Sequence, residues 1–336
     1  MLSITHKLRD RLNTNIDSVA MNKTHIVIMY KDWKMTLMSI DGKVKKIIKD
    51  NICCIAMNEK YIVSGYNKDN VYQAKIWDIN EIINSKDVAI NKDSLSPKVI
   101  EHKYSLKSVA IQGNKIVTLT SDTKEPILIY ELNESGELIK NKEERIQVET
   151  VRTLLAVDCI ATYKNLIAYG TANQKLSIWD MDKGKSLDDK ETGLQVKSIA
   201  MNKNCVVTEM WQEKWDRHDG NGKWKVIRKY MNKWKYNNSY LSTPTELVNG
   251  AFVVMNDNYI VTATEGGKIH LFNATENEIT NYKISSRIYC ISMYSDYIVI
   301  VHRPIKSDNK IEIWKIEDGA TENSGSGSKF KYLLKY

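Results

Sequence analysis

Ser18-Val-Ala-Met-Asn-Lys-Thr-His-Ile-Val27 and Cys54-Ile-Ala-Met-Asn-Glu-Lys-Tyr-Ile-Val63 are two copies of one phrase, and that phrase decides the fold. It returns at Ser108–Val117, Cys159–Ala168, Ser198–Val207, Phe252–Val261 and Cys290–Val299. Each copy is a β-branched run, a polar Asn/Lys/Asp turn and a second β-branched run, which is how a hairpin reads in sequence.

The second residues of the phrases are Val19, Ile55, Val109, Ile160, Ile199, Val253 and Ile291, spaced 36, 54, 51, 39, 54 and 38 residues apart. These spacings bracket the roughly 40–45 residues of a four-stranded propeller blade with room for insertions. A third strand with an aromatic follows in most repeats: Lys75-Ile-Trp-Asp78, Ile127-Leu-Ile-Tyr-Glu131, Leu176-Ser-Ile-Trp-Asp180, Ile269-His-Leu-Phe-Asn273 and Ile311-Glu-Ile-Trp-Lys315. More polar fourth strands are expected near 43–48, 98–103 and 279–285. An apolar inner part and a polar outer strand suit a radial sheet whose outer edge meets water. The pattern predicts an all-β chain, a single seven-bladed β-propeller of four-stranded antiparallel blades over residues 1–318. Residues 319–336 read as a Gly/Ser linker and a basic aromatic tail, Lys329-Phe-Lys-Tyr-Leu-Leu-Lys-Tyr336. Two segments compete to complete the last blade, Leu2–Leu8 and this tail, and the N-terminal one is favoured.

On these motifs the chain resembles the WD-repeat family. Trp77-Asp78 and Trp179-Asp180 match the family's dipeptide, Trp314-Lys315 matches on one side, and Tyr130-Glu131 and Phe272-Asn273 are aromatic substitutes. The resemblance covers about residues 15–318. It departs in one respect: the Gly-His before the first strand is missing from every repeat, so the family's His–Ser–Trp–Asp tetrad cannot form as usual. The resemblance implies a non-enzymatic scaffold that binds protein or peptide partners within a multiprotein complex.

Composition narrows the function further. Lysine, asparagine and isoleucine are abundant, so the net charge of +8 is a weak guide to partners. No apolar run reaches the roughly 18–20 residues of a membrane helix, and charge interrupts the first ten residues before a signal core forms. Cys53, Cys54, Cys159, Cys205 and Cys290 are an odd set without C-x-x-C spacing and read as small buried hydrophobes. The expectation is a cytoplasmic protein, with the nucleus open as well. The sequence carries no nucleophile elbow, P-loop, H-E-x-x-H motif or paired metal-ligand cluster, so no catalytic residue, metal or cofactor is assigned. The stretch 216–222 lacks the order of a calcium loop and reads as a hairpin tip.

The fifth repeat is the most individual. Trp211-Gln-Glu-Lys-Trp215, a Gly/Asp/Asn turn, and Lys223-Trp-Lys-Val-Ile-Arg-Lys-Tyr-Met-Asn-Lys-Trp234 predict a long second-to-third-strand hairpin. Period two puts Trp211 with Trp215 on one face, and Trp224 with Val226, Arg228 and Tyr230 on one face. Residues 214–235 hold eight Lys/Arg and two Asp, +6 of the total charge. One reading packs the tryptophans against each other and a neighbouring blade. A second makes Trp211, Trp215, Trp224, Arg228 and Trp234 a partner-binding patch, because Trp, Tyr and Arg dominate interface energetics. A third puts Lys223, Lys225, Arg228 and Lys229 on the phosphates of RNA. Phosphoinositide binding ranks last: the Phe-Arg-Arg-Gly motif of the autophagy propellers, which the chain resembles in fold only, is absent. The insertions at 80–96 and 134–145 read as exposed loops, the first with a helical turn at Ile79–Ile83.

Overall fold

The computed structural model describes residues 16–91, 95–139, 144–146, 157–171, 173–216, 223–237, 240–241, 245–247, 250–273, 278–304, 309–317 and 329–335. All seven phrases form hairpins, and each is the start of its own antiparallel sheet. Within a sheet the strands follow chain order outward, as in Ile16–Met21, His25–Tyr30, Lys34–Ser39 and Lys45–Lys49 of the first blade.

The alternation within the second strands explains the ring. Ile26 and Ile28 of the first blade pack with Val299, Val301 and Ile313 of the seventh, whereas Val27 and Met29 point the other way, to Ile62 and Trp77 of the second. Ile298 and Ile300 face the sixth blade, while Val299 and Val301 face the first. A strand buried on both faces reads as an unbroken apolar run, and the seven phrases read so for that reason. Seven clusters of buried side chains each join two adjacent blades, and the one shared by blades seven and one closes the circle.

The aromatics of the third strands occupy one register. Trp77 lies opposite Ile62, Trp179 opposite Ile167, Trp314 opposite Ile298 and Phe272 opposite Ile260. Two of these blades' equivalents keep part of the tetrad described above: the Trp77 indole donates to Ser64 Oγ at 2.9 Å and Trp234 donates to Thr208 Oγ1 at 3.0 Å.

A second device ties blade to blade. Asn22, which ends the first strand, accepts from the backbone N–H groups of Thr24 and His25 and donates its own amide to the carbonyl of Asn58 in the next blade. Asn58 repeats this toward Gly113, Asn202 toward Asn256, and Asn256 toward Ser295. Each such asparagine closes its own turn and clasps the neighbouring one, so its side-chain oxygen and its amide nitrogen both have partners at the seam.

Three expectations need correction. The fourth place in the seventh blade belongs to Lys329–Lys335, antiparallel to Lys310–Glu317, and not to the favoured Leu2–Leu8, which lies outside the described residues. The alternating tail supplies the ladder that Lys310–Glu317 would otherwise leave unpaired at the edge. Residues 329–335 thus join the ring's last sheet, although composition assigned them to a tail. The insertion at 80–96 is not a loop where described. Asp78 caps a short helix, Ile79–Asn84, whose Ile79 and Ile82 are buried, and Ala89–Asn91 then adds a parallel fifth strand to the first blade. Buried Lys46 holds this segment through the carbonyls of Ser85 and Asp87, at 2.6 and 2.9 Å. Four isoleucines in thirteen residues carry enough apolar surface to fold back on the ring. The insertion at 134–145 ends in Glu144–Ile146, the outer strand of the third blade; 140–143 are outside the described residues.

Candidate interaction face

Antiparallel order assigns the turns to two faces of the disc. Turns from first to second strand, with their asparagine clasps, lie on one. Turns from second to third strand and the links between blades lie on the other, and this second face holds the individual features.

Chief among them is the fifth-blade hairpin. Cys205–Asp216 and Lys223–Asn237 stay paired out to Asp216 opposite Lys223, whereas the inner strand Gln195–Met201 stops opposite Trp211. Beyond Trp211 the hairpin is a two-stranded ribbon rising about 3.3 Å per residue above the ring. A bulge at Ile227 alters the faces expected from period two: Gln212 pairs with Arg228, but Glu213 pairs with Val226. The register therefore sets positions 211, 213, 215, 224, 226 and 229 on one side, and 212, 214, 225, 228 and 230 on the other. Three tryptophan positions share the first side. Lys214, Lys225 and Arg228 share the second, so Trp224 and Val226 are separated from Arg228 and Tyr230. The tip, 217–222, lies outside the described residues.

The root of the hairpin is a charged cluster around Trp211. The half-buried indole donates to Glu209 Oε1 at 2.6 Å, and Lys229 Nζ stands 4.7 Å from the ring centroid, with Lys197 at 5.7 Å. Burial pushes the Glu209 carboxyl up to about 7, against the opposing pull of the Trp211 hydrogen bond and the Lys229 charge. Lys229 bonds Glu265 of the sixth blade at 3.0 Å, and Glu265 meets Arg287 of the seventh at 2.8 Å. Lys229 lowers the Glu265 carboxyl below its ordinary range. Lys229, offered above as a phosphate contact, thus pairs with Glu265 and stands 3.9 Å from Glu209.

Trp234 has no place in a contact patch. It is 3% exposed, packs among Ile178, Val206 and Met210, and lies opposite Val206 in the register of Trp77 and Trp179. It is the fifth blade's third-strand aromatic, a role hidden in the sequence by the length of the hairpin. What sequence reading missed is apolar surface elsewhere on the same face. Trp33, Val71 and Tyr104 are 50%, 42% and 37% exposed at the turns and links of the first three blades. Trp33 also holds φ at 70°, a left-handed conformation costly for a bulky side chain. Its place in Tyr30-Lys-Asp-Trp33, between two strands, was the available signal. Between blades two and three, His102, Tyr104, Asp122, Tyr130 and Arg145 line a cavity of about 260 Å³. Burial lowers the His102 imidazole to about 4, so the ring is neutral there at pH 7. Among the described residues no group of three or more His, Cys, Asp or Glu is placed to hold a metal ion, and no helix is long and apolar enough to cross a membrane.

These features define a seven-bladed β-propeller. No family model and no curated protein matches the sequence. Among solved structures, the chain is similar to the β-propeller domain of Cps50 (Swd1) from Myceliophteria thermophila, at 10% identity and a TM-score of 0.64 over 94% of this chain and 99% of that one. It is also similar to KlHsv2 with loop 6CD replaced by a Gly-Ser linker (13%, TM-score 0.61, 96% and 99%). A third is the computationally designed Ika8 protein (14%, TM-score 0.56, 94% and 100%). At such identities the likeness concerns the fold.

Proposed function

We propose that the protein is a non-enzymatic scaffold that binds protein or peptide partners on the face carrying the fifth-blade hairpin. The observation that carries this reading is the ribbon beyond Trp211, which gains no support from the inner strand of its own sheet yet brings three tryptophan positions to one side. Tryptophan side chains dominate interface energetics and, with two rotatable bonds, lose little conformational entropy on binding. Exposed Trp33, Val71 and Tyr104 on the same face extend the apolar surface available to a partner. An affinity pull-down tests it, comparing the full chain with a version shortened across 214–224. Loss of the main partners from the shortened form supports the reading; identical partner sets end it.

A second reading, association with RNA, draws on the other side of the ribbon, where Lys214, Lys225 and Arg228 share a face next to Lys223. It requires single-strand binding that weakens steeply with salt and is lost in the triple variant K223E/K225E/R228E. Binding unchanged in that variant removes it.

A further inference from the structure

The two strands of the fifth-blade hairpin differ in what borders them. On the inner edge, Gln195–Met201 accompanies Cys205–Asp216 only as far as Trp211. On the outer edge of Lys223–Asn237, the short strands Tyr240–Leu241 and Thr245–Glu246 pair with Tyr236, Asn237, Asn232 and Lys233. The N–H of Leu247 then reaches the Met231 carbonyl at 2.7 Å. Among the described residues no strand pairs with that outer edge from Lys223 to Tyr230. A row of backbone donors and acceptors is open there to another chain.

The ladder sets which residues carry that row. The Met231 carbonyl points outward to Leu247, and alternate residues of an antiparallel strand turn their backbone groups the same way. The backbone of Lys229 therefore points outward as well. Ile227 is the extra residue of the bulge, so the outward set resumes beyond it at Val226 and Trp224. Lys223, Lys225 and Arg228 turn their backbone groups inward, to Asp216, Lys214 and Gln212.

Charge distinguishes the two open edges. Residues 223–229 of the outer edge include Lys223, Lys225, Arg228 and Lys229 and no acid, whereas 212–216 of the inner edge hold two acids and one lysine. Lys229 pairs with Glu265 on the side that carries the positions of Trp224 and Val226, and the positions of Lys223, Lys225 and Arg228 share the other side. Like charges on facing strands repel, so this row discourages pairing with a second copy of itself and favours an acidic strand.

We propose that the outer edge Lys223–Tyr230 is a strand-addition site for an extended acidic peptide, one that alternates carboxylate and apolar residues. The peptide continues the line begun by Thr245–Glu246 and bonds the outward backbone groups of Trp224, Val226 and Lys229. Its carboxylates lie on the side of Lys223, Lys225 and Arg228, and its apolar residues on the side of Trp224 and Val226. Main-chain hydrogen bonds supply affinity, and the alternation supplies specificity. This inference rests on the hairpin being the contact site and gives its partner a chemistry.

The probe is a fluorescein-labelled (Glu-Val)5 peptide, titrated with the full-length chain and followed by fluorescence anisotropy. Saturable binding that weakens with salt is expected, with none of (Lys-Val)5. Two further peptides carry N-methyl groups on all valines or on all glutamates. One of them should bind at least about tenfold more weakly and the other near the parent, because only alternate N–H groups face the edge. Val226→Pro removes an outward donor from an edge strand, where proline is tolerated, and should weaken binding by a similar factor at an unchanged melting temperature. The triple variant K223E/K225E/R228E should exchange (Glu-Val)5 for (Lys-Val)5. Equal affinity of the two N-methylated peptides, or of folded V226P and the parent, overturns strand addition. If shortening 214–224 still removes the captured partners, the contact-site reading survives that outcome. No binding of (Glu-Val)5 beside binding of a uridine decanucleotide gives the edge to RNA and also overturns the proposal.

Discussion

Two insertions leave the ring, and they behave in opposite ways. The segment after the second blade's third strand folds back: its helix buries Ile79 and Ile82, and Ile90 enters the same core from a strand added to the first blade. The fifth-blade hairpin instead continues outward as a paired ribbon with nothing from its inner strand alongside. The difference lies in side-chain chemistry. Four isoleucines among thirteen residues gain most by leaving water. In the ribbon tryptophans alternate with lysines in sequence, and its two strands satisfy each other's backbone ladder. A segment inserted into a rigid wheel therefore either thickens the wheel or becomes a projection, and its apolar content decides which.

The sharpest way to test the comparison contrasts two tryptophans of the same hairpin. Trp234→Ala should cost about 4 kcal/mol, because the ring fills an inter-blade core and its N–H satisfies Thr208. Trp211→Ala, at the half-buried root, should cost about 1 kcal/mol while weakening partner capture. Urea unfolding followed by pull-down measures both, and equal destabilisation would erase the distinction between root and ring.

Next in size is Ile82→Ala, expected to cost about 3 kcal/mol at a fully buried site. Shortening 214–224 should change stability by less than about 0.5 kcal/mol, as for surface changes. If trimming the ribbon destabilises as much as Ile82→Ala, the ribbon belongs to the wheel after all.

A smaller effect comes from Glu209 at the junction. Its carboxyl sits at about 7 in the folded chain, above its ordinary 4.5, so between these values the folded state holds the proton more tightly than the unfolded. Stability contributed by that proton is full below the lower value and disappears as pH rises through about 7, a loss of about 2–3 kcal/mol by pH 8. Glu209→Gln keeps an acceptor for Trp211 and should remove this loss. Denaturation of both proteins at pH 5 and pH 8 measures the difference between them; parallel pH profiles would place Glu209 in a more hydrated setting.

Much of the ring was legible because its second strands are buried on both sides, so Ile26-Val-Ile-Met29 and Ile298-Val-Ile-Val301 are continuous apolar runs with a recognisable turn before them. The asparagine clasps were visible as the pair Met-Asn at 21–22, 57–58, 201–202 and 255–256, but their amides act between blades, and spacing along the chain does not report that. The bulge at Ile227 was not legible, since one unpaired residue reverses a face without changing composition. Nor was Ala89–Asn91, a three-residue strand whose partner lies forty residues earlier. Of the proposed contact residues, the sequence could separate Trp234 from Trp211 only through its alignment with Trp77 and Trp179, a correspondence obscured by the intervening hairpin.

Among the described residues, every strand of the first blade precedes or adjoins its own neighbours, every strand of the last lies between Ser286 and Lys335, and none is exchanged between them. Among those residues the circle is fastened like a split washer, by the packing of Ile16, Val19, Val299 and Ile311 across a joint. A force that separates the first and last blades meets, among the described residues, an apolar joint crossed by no ladder of hydrogen bonds, so the washer opens there with its remaining segments still stacked.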